Sequence, residues 1–256
     1  MTERTWMITG AGRGLGLSFA RAALARGDRV VATARNVAAL DPLATAFPGQ
    51  VRAVRLDATE PESIADAVTA AQEFCGRIDV LVNNAGYGLG GAVEELSEEQ
   101  LRRQMEVNFF GPLACSRAVL PIMRAQGSGH IVQVSSIGGL AAFLYTGMYH
   151  ASKWALEGIS ETLAQEVAGF GIKLTIIEPG PFRTDWNGPS FERAEPMAAY
   201  DEVLAGRRHD MSGALTGLQP GDPERAAQAL LHIVDDAHPP LRLLLGNLAG
   251  QPKARS

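Results

Sequence analysis

The sequence predicts an α/β fold, a doubly wound parallel sheet of about seven strands with helices on both faces. Short runs rich in β-branched residues alternate with longer runs of helical character, which is typical of βαβ units. The length of 256 residues fits one large α/β domain, and the chain contains no internal repeat and no linker of glycine and serine. Residues 1–256 are therefore expected to form a single domain.

The elements follow one another in a regular order. Strands are predicted at residues 5–9, 29–34, 51–55, 78–82, 129–135, 172–178 and 241–245. Helices are predicted between them, at residues 15–26, 36–46, 61–75, 97–125, 148–169 and 222–236. A capping box that begins at Ser97 supports one helix start, and Asp222 followed by Pro223 supports another. Residues 186–221 lack a clear periodicity and are rich in proline and glycine, so we expect a substrate loop or lid there.

Composition excludes several classes of protein. A net charge of -5 and a pI near 5.6 argue against nucleic acid as the main partner, because a phosphate backbone requires a basic face. Cys75 and Cys115 match no metal or disulfide framework, so no metal site is predicted and a reducing cytoplasm is the expected location. The first apolar run is too short for a signal peptide, and no apolar run is long enough to span a membrane.

A glycine-rich segment follows the first predicted strand directly. Residues 9–16 read Thr-Gly-Ala-Gly-Arg-Gly-Leu-Gly and lead into the first predicted helix. Glycines let the backbone turn tightly and approach a pyrophosphate, while the start of a helix offers free N–H groups and a partial positive charge. A glycine loop outside this context is usually only a turn. The order of strand, loop and helix predicts a Rossmann-type nucleotide site.

The end of the second predicted strand indicates which nucleotide is bound. A ribose hydroxyl would favour an acidic residue at this place, whereas a ribose 2'-phosphate favours a cation. The chain has Ala34 and Arg35 here, and Arg13 in the glycine loop is a second cation within reach of the same phosphate. The alternative interpretation is that both arginines are solvated surface charges without a ligand. Their positions predict NADP(H) in preference to NAD(H).

Tyr149 and Lys153 lie four residues apart, which places their side chains on one face of a helix. The ordinary pKa of tyrosine is about 10, so the phenol exchanges protons poorly at neutral pH. A neighbouring cation favours the phenolate, so Lys153 together with a second positive charge, such as an oxidised nicotinamide, is expected to lower that pKa. Such pairs also occur by chance, with the tyrosine packed and the lysine solvated. The pair is a candidate acid/base centre.

With the glycine loop and this pair, the chain resembles the short-chain dehydrogenase/reductase family, specifically its shorter, single-domain branch. That branch has a T-G-x-x-x-G-x-G loop, an N-N-A-G segment after the fourth strand and a P-G-x-x-x-T segment after the sixth. Residues 9–16, 83–86 and 179–184 match these three segments. The resemblance covers nearly the whole chain, and longer relatives space their glycines differently.

The resemblance implies a catalytic set of four residues. The family's serine lies thirteen residues before its tyrosine, which selects Ser136 over Ser135. Its asparagine lies in a helix about 28 residues before the serine, which corresponds to Asn108. The alternative is that Asn108 is a polar residue bonded to helix backbone. Tyr145 also lies four residues from a side chain on its own face, but that neighbour is a tyrosine, so we assign Tyr145 to packing or to the substrate pocket. The implied catalytic residues are Asn108, Ser136, Tyr149 and Lys153.

The resemblance also implies how the nucleotide is held. Asp57 is expected to bond the adenine amino group, and Thr184 is expected to meet the nicotinamide carboxamide. Lys153 is expected to hold the nicotinamide ribose. The implied cofactor-binding residues are Gly10, Gly12, Arg13, Gly14, Leu15, Gly16, Arg35, Asp57, Ala58, Asn84, Ala85, Gly86, Tyr149, Lys153, Pro179, Gly180, Phe182 and Thr184.

The expected function is the NADP(H)-dependent interconversion of a carbonyl and an alcohol by hydride transfer, with Tyr149 as the acid/base. Residues 137–148 border the expected carbonyl site and carry no charge, which favours an apolar ketone, aldehyde or secondary alcohol. One alternative is a catalytically silent NADP(H)-binding regulator or scaffold, although none of the implied catalytic residues is missing. Another is an epimerase or dehydratase acting on nucleotide sugars, but those relatives are generally longer.

The resemblance finally implies self-association. Relatives pair through the helices that correspond to residues 97–125 and 148–169, which predicts a homodimer or a homotetramer. Trp154 and Ile159 are compatible with such a face, although a helix face buried within the chain requires the same kind of residue.

Overall fold

The computed structural model describes residues 3–188, 190–213 and 217–246. The strands are β1 Thr5–Ile8, β2 Arg29–Ala34, β3 Val51–Arg55, β4 Val80–Asn83, β5 Gly88–Gly90, β6 Gly129–Val134, β7 Ile172–Pro179, β8 Phe191–Arg193 and β9 Arg242–Leu245. Seven parallel strands form the main sheet, in the order β3-β2-β1-β4-β6-β7-β9, and β5 pairs with β8 in a separate two-stranded sheet. Each of the seven strands predicted from the sequence overlaps one strand of the main sheet, which confirms the predicted fold class.

Helices cover both faces of the main sheet. Successive side chains of a strand point to opposite faces, so Ile8 belongs to an apolar cluster with Phe19 and Leu230, whereas Met7 belongs to a cluster with Ile64 and Val119. The sheet is thus buried on both sides, as a doubly wound fold requires. The helices are α1 Gly14–Ala25, α2 Asp41–Ala46, α3 Pro61–Cys75, α4 Glu98–Met105, α5 Gly111–Gln126, α6 Gly147–Val167, α7 Asp201–Asp210 and α8 Pro223–Asp235.

Two of the predicted helices are wrong in detail. The predicted helix 97–125 is α4 and α5 separated by one π-helical turn, Glu106–Phe110, which carries Asn108. The predicted helix 36–46 is a 3-10 turn, Val37–Leu40, followed by the short α2. Pro42 lies in the first turn of α2, where its ring is tolerated, whereas in the interior of a longer helix it would clash with the preceding turn.

The segment 186–221 is more regular than its sequence suggests. It contains β8 and α7, and Gly88, Leu89 and Gly90 of β5 pair in parallel with β8. The buried carboxylate of Glu95 fastens the segment further, because it accepts the Met197 N–H at 2.9 Å and pairs with the Arg208 guanidinium. Within the three described ranges, no helix has the length and apolar character needed to cross a membrane.

Candidate active site

A cavity of about 1570 Å³ opens at the carboxyl ends of the parallel strands. This edge of a doubly wound sheet is where ligands of such folds bind. Gly16 and Asn108 are the two predicted site residues that do not line the cavity; the others do. The structure therefore brings the predicted nucleotide segments and the predicted catalytic residues to one place.

The glycine loop has the backbone that close approach to a phosphate requires. Gly10 has φ of +66° and Gly14 has φ of +55°, which is the left-handed region that glycine adopts without strain. A Cβ on Gly16 would lie 2.4 Å from the carbonyl oxygen of Gly10 and from Nδ2 of Asn84. The helix α1 begins at Gly14, so its free N–H groups face the cavity. These features fit a dinucleotide cofactor.

Asn84 holds the glycine loop against the sheet. Its Nδ2 donates hydrogen bonds to the carbonyl oxygens of Thr9 at 2.9 Å and Gly10 at 3.1 Å. The Thr9 hydroxyl in turn accepts the N–H groups of Asn84 and Ala85, at 2.9 and 3.0 Å. This reciprocal bonding fixes the N-N-A-G segment and the glycine loop as one rigid wall of the cavity.

The part of the cavity that is lined by the glycine loop and by Asn84, Ala85 and Gly86 is called the nucleotide arm here. Two arginines and one carboxylate also line this arm. Arg13 and Arg35 line the cavity and are exposed, and neither forms an ion pair within the described ranges. Asp57 accepts both the N–H and the hydroxyl of Thr59, at 3.0 and 2.8 Å. Burial favours a raised pKa for Asp57, but the Thr59 bonds and the charge of Arg35 outweigh it, so the pKa lies below its ordinary value.

The rest of the cavity, called the substrate arm, is lined by three predicted catalytic residues, Ser136, Tyr149 and Lys153. Lys153 on α6 is buried, and its Nζ donates to the carbonyl oxygen of Val134 at 2.8 Å. The same Nζ lies 5.8 Å from the centre of the Tyr149 ring. Ser136 follows β6, and its Oγ accepts the Gly138 N–H at 3.0 Å, which orients the hydroxyl at the mouth of the site.

The pKa values of these groups differ from the expectation drawn from the sequence. Burial raises the pKa of Tyr149 to about 12, and the Ser136 hydroxyl counteracts this only in part. Burial lowers the pKa of Lys153 to about 8, against the opposing charge of Glu157. The predicted lowering of the Tyr149 pKa is therefore not produced by the protein alone, because desolvation of the phenolate outweighs the hydrogen bond with Ser136.

Asn108 lies behind the cavity wall. Its Oδ1 accepts the Tyr87 N–H at 3.1 Å, and its Nδ2 donates to the Tyr87 carbonyl oxygen at 2.9 Å. A Cβ on Gly86 would lie 3.2 Å from Asn108 Oδ1 and 3.8 Å from Lys153 Nζ. Only the backbone of Gly86 thus stands between the asparagine and the lysine. The π-helical turn places the amide there, since the extra residue shifts it out of the register of α4.

Sequence reasoning missed a group of aromatic side chains that lines the cavity beside Tyr149. Trp186 and Phe191 line the cavity, and the Trp186 ring stands edge-on to Tyr149 with 5.2 Å between ring centres. Both belong to the segment that lacks periodicity, so no sequence signal marked them. Tyr145 is buried with φ of +81° and stacks on Phe191, and it does not line the cavity. Of its two predicted roles, the structure bears out packing.

His150 was also missed, although it neighbours Tyr149 in the motif. Its Nδ1 accepts the Phe143 N–H at 3.2 Å and its Nε2 lies 3.1 Å from the Thr146 hydroxyl. Burial, assisted by the charge of Arg207, lowers the pKa of His150 to about 4. The neutral His150 ring therefore connects the loop that precedes α6 to this helix through two hydrogen bonds. Among the described residues, no group of histidine, cysteine and carboxylate side chains is arranged to hold a metal ion.

Comparison with known proteins agrees with this geometry. The family model described as short chain dehydrogenase matches residues 4–195, which is most of the chain. The protein belongs to the short-chain dehydrogenase family. As a member of that family it is an NAD(P)-dependent dehydrogenase/reductase, which confirms the resemblance and the enzyme class expected from the sequence.

Several curated members of the short-chain dehydrogenase family are similar over most of their length. Oxidoreductase BOA17 of Botryotinia fuckeliana is 44% identical over 95% of this chain and 89% of the relative. Retinol dehydrogenase 8 of Bos taurus is 37% identical over 93% and 80%. The 3-ketodihydrosphingosine reductase of Bacteroides thetaiotaomicron is 35% identical over 97% and 90%.

Solved structures of the same family share the fold. A short-chain dehydrogenase from Streptomyces avermitilis has a TM-score of 0.89 and 43% identity, over 97% of this chain and 90% of its own. A metagenomic short-chain oxidoreductase in complex with NADP has a TM-score of 0.75 and 26% identity, over 94% and 96%. A Burkholderia phymatum family member in complex with NAD has a TM-score of 0.81 and 25% identity, over 94% and 88%.

Proposed function

We propose that this dehydrogenase/reductase interconverts an apolar carbonyl compound and its alcohol with NADP(H), using Tyr149 as the acid/base. One observation carries the proposal: Tyr149, Ser136 and Lys153 share a single cavity with the glycine loop and with Arg13 and Arg35. A hydride donor held by the loop and a carbonyl held by the tyrosine would then lie in the same space. The curated relatives named as dehydrogenase and reductase favour turnover over a silent regulator.

The protein groups have distinct roles in this mechanism. When bound, the nicotinamide cofactor supplies a hydride to the carbonyl carbon, or accepts one from the alcohol carbon. Tyr149 gives a proton to the carbonyl oxygen in reduction and takes it back in oxidation. The Ser136 hydroxyl donates a hydrogen bond to the same oxygen, where negative charge develops. Lys153 would hold the ribose of the bound cofactor, and Asn108 keeps the peptide beside Lys153 in place through its two bonds to Tyr87.

The high pKa of Tyr149 bears on proton transfer in both directions. At a pKa of about 12, the side chain is a neutral phenol at physiological pH. Oxidation starts from the phenolate and reduction leaves it behind, and at pH 7 this form costs roughly 7 kcal/mol before any further positive charge is added to the site. Efficient proton transfer in either direction therefore needs a further positive charge near Tyr149.

The preference for NADP(H) depends on Arg13 and Arg35. Neighbouring structures contain either NADP or NAD, so the choice must come from residues of this chain. Both guanidinium groups face the cavity without a carboxylate partner within the described ranges, which suits a 2'-phosphate.

The test is Arg35→Asp, with Arg21→Asp as a control that makes the same charge change on the exposed side of α1. Loss of one guanidinium–phosphate contact should weaken NADPH binding by about tenfold or more. NADH binding should stay unchanged or improve. Calorimetric titration gives both affinities, and an unchanged NADPH affinity in Arg35→Asp would remove the basis for the preference.

The substrate is expected to be apolar. Four charged residues outside the predicted site set line the cavity, namely Arg103, Asp185, Glu192 and Arg207. The remaining lining near Tyr149 is largely apolar and is supplied by Ala142, Phe143, Leu144, Trp186, Phe191 and Met211. We propose that residues 186–221 are the substrate segment, since they supply three of these side chains. A carbonyl panel that contains long-chain and ring ketones beside small charged keto acids tests this directly. Turnover confined to the charged keto acids would overturn it.

We further propose a cytoplasmic homodimer or homotetramer. Phe110, where the π-helical turn ends, and Trp154 on α6 are 47% and 53% exposed, although both are large apolar side chains. A second copy of the chain would cover them. Light scattering in solution should give two or four times the mass of the chain, and a monomeric mass would contradict this.

A further inference from the structure

Trp186 stands at the junction between the nucleotide arm and the substrate arm of the cavity. It lies two residues after Thr184, whose Oγ1 accepts the Trp186 N–H at 3.4 Å. Thr184 itself packs against the glycine loop, 3.5 Å from where a Cβ on Gly14 would be. The position of the indole is thus tied to the wall that carries the cofactor-binding residues.

The indole is wedged between two other aromatic rings. Its centre lies 5.2 Å from that of Tyr149, at an interplanar angle of 61°, and 5.1 Å from that of Phe191, at 71°. Phe191 is stacked in turn on the buried Tyr145, with 6.4 Å between centres. Edge-to-face contacts of this kind fix the ring orientation. Trp186 itself is only partly buried and lines the cavity.

Two glycines of β5, Gly88 and Gly90, pack directly against these aromatic rings. A Cβ on Gly88 would lie 2.5 Å from Cζ2 of Trp186 and 2.5 Å from Cδ2 of Phe191. A Cβ on Gly90 would lie 2.3 Å from Cε1 of Tyr145. The rings therefore rest directly on the backbone of β5 and have no room to retreat from a ligand on that side.

The backbone around these rings is also fastened. The Gly88 N–H donates to the Ser190 carbonyl oxygen at 2.8 Å, and the Ala194 N–H donates to the Gly90 carbonyl oxygen at 2.8 Å. Glu95 adds its bonds to Met197 and Arg208. A ligand that places its oxygen at Tyr149 must therefore fit beside an indole that packs against the backbone of Gly88 and against Phe191.

We infer that Trp186 is a specificity-determining residue, which limits the size of the group carried by the carbonyl carbon on the side of the substrate segment. The inference rests on the proposed function, because it assumes that the substrate oxygen is bound at Tyr149. It adds that the fixed indole, rather than the general apolar character of the cavity, selects among apolar ketones. Small alkyl groups fit beside the ring, and branched or bulky groups meet its edge.

The test compares Trp186→Ala and Trp186→Phe with Phe170→Ala, which removes an aromatic ring that is exposed and does not line the cavity. Aryl methyl, aryl isopropyl and aryl tert-butyl ketones form the substrate series. Pocket contacts of this size discriminate by roughly 10- to 200-fold. The ratio of kcat/KM for the tert-butyl ketone to that for the methyl ketone should rise at least about tenfold in Trp186→Ala. It should rise less in Trp186→Phe and stay constant in Phe170→Ala.

An unchanged ratio in Trp186→Ala, with thermal unfolding like that of the parent protein, would overturn the inference. The corresponding secondary alcohols, titrated by calorimetry, probe the same cavity without turnover. In Trp186→Ala, the affinity for the tert-butyl alcohol relative to that for the methyl alcohol should rise in the same way. If the parent protein turns over no ketone but Trp186→Ala shows this change in relative Kd values, the proposed function is contradicted and the role of Trp186 remains supported. Turnover with an unchanged size ratio would contradict the role of Trp186 alone.

Discussion

Glu178→Gln is predicted to change how the stability of the protein depends on pH. Glu178 lies at the end of β7 with no exposed surface. Its Oε1 is 3.1 Å from Nε of Arg242, whose guanidinium also pairs with Glu157 at 3.1 Å and Glu161 at 2.5 Å. One arginine thus faces three carboxylates. Burial and, to a smaller extent, the charge of Glu157 raise the pKa of Glu178 to about 7, against the opposing effect of Arg242.

The sign of the effect follows from the raised pKa. The folded protein binds this proton more tightly than the unfolded chain, where the ordinary pKa is 4.5. The resulting stabilisation is present below pH 4.5 and is lost as the pH rises through about 7. A shift from 4.5 to about 7 corresponds to a change of about 3 kcal/mol in the free energy of unfolding. Because glutamine does not titrate, the free energy of unfolding of Glu178→Gln should not fall by this amount as the pH rises.

Urea unfolding at about pH 5 and about pH 8.5 measures the difference. Relative to the parent protein, Glu178→Gln should be close to neutral at the lower pH and more stable by up to about 3 kcal/mol at the higher pH. Glu161→Gln is the matched control in the same cluster, since its side chain is 45% exposed and should change stability by less than about 1 kcal/mol. Parallel pH profiles for the parent protein and Glu178→Gln would refute the reasoning.

Two further predictions concern the walls of the cavity. Glu95→Gln should loosen the substrate segment, because it leaves Arg208 without its buried carboxylate partner, whose side chain is 1% exposed; KM should rise more than kcat falls, and limited proteolysis should cut within residues 195–213. Full protection of that segment would contradict this. Gly16→Ala should abolish nucleotide binding, because its Cβ would lie 2.4 Å from the Gly10 carbonyl oxygen; calorimetry with NADPH measures this, and a parent-like Kd would contradict the proposed role of the loop.

The sheet and the nucleotide arm could be predicted from the sequence because their signals are local. Each buried strand is a short apolar run between turns, and the glycine loop connects one strand to the helix that follows it. Parallel strands bring their carboxyl ends to one edge, so residues that follow different strands, such as Asn84, Ser136 and Gly180, meet there. Family spacing then selected Ser136 and Asn108.

The substrate arm could not be predicted in the same way. β5 and β8 are three residues each, and they form only because they pair with one another across about 100 residues of chain. The π-helical turn at Asn108 and the left-handed backbone of Tyr145 are imposed by tertiary packing. The depth of the Tyr149 side chain could not be predicted for a related reason. Spacing along a helix locates the lysine but does not reveal how deeply the phenol is buried.

The central claim is that Tyr149 transfers the proton that accompanies hydride transfer. Its most direct test is the rate of NADPH oxidation with a reducible apolar ketone in Tyr149→Phe, beside Tyr145→Phe. The control removes the same hydroxyl from a packed ring that does not line the cavity. We predict that Tyr149→Phe lowers kcat by about 10²- to 10⁴-fold, while NADPH binding and the activity of Tyr145→Phe remain close to those of the parent protein. A Tyr149→Phe variant with nearly parental kcat would contradict the account.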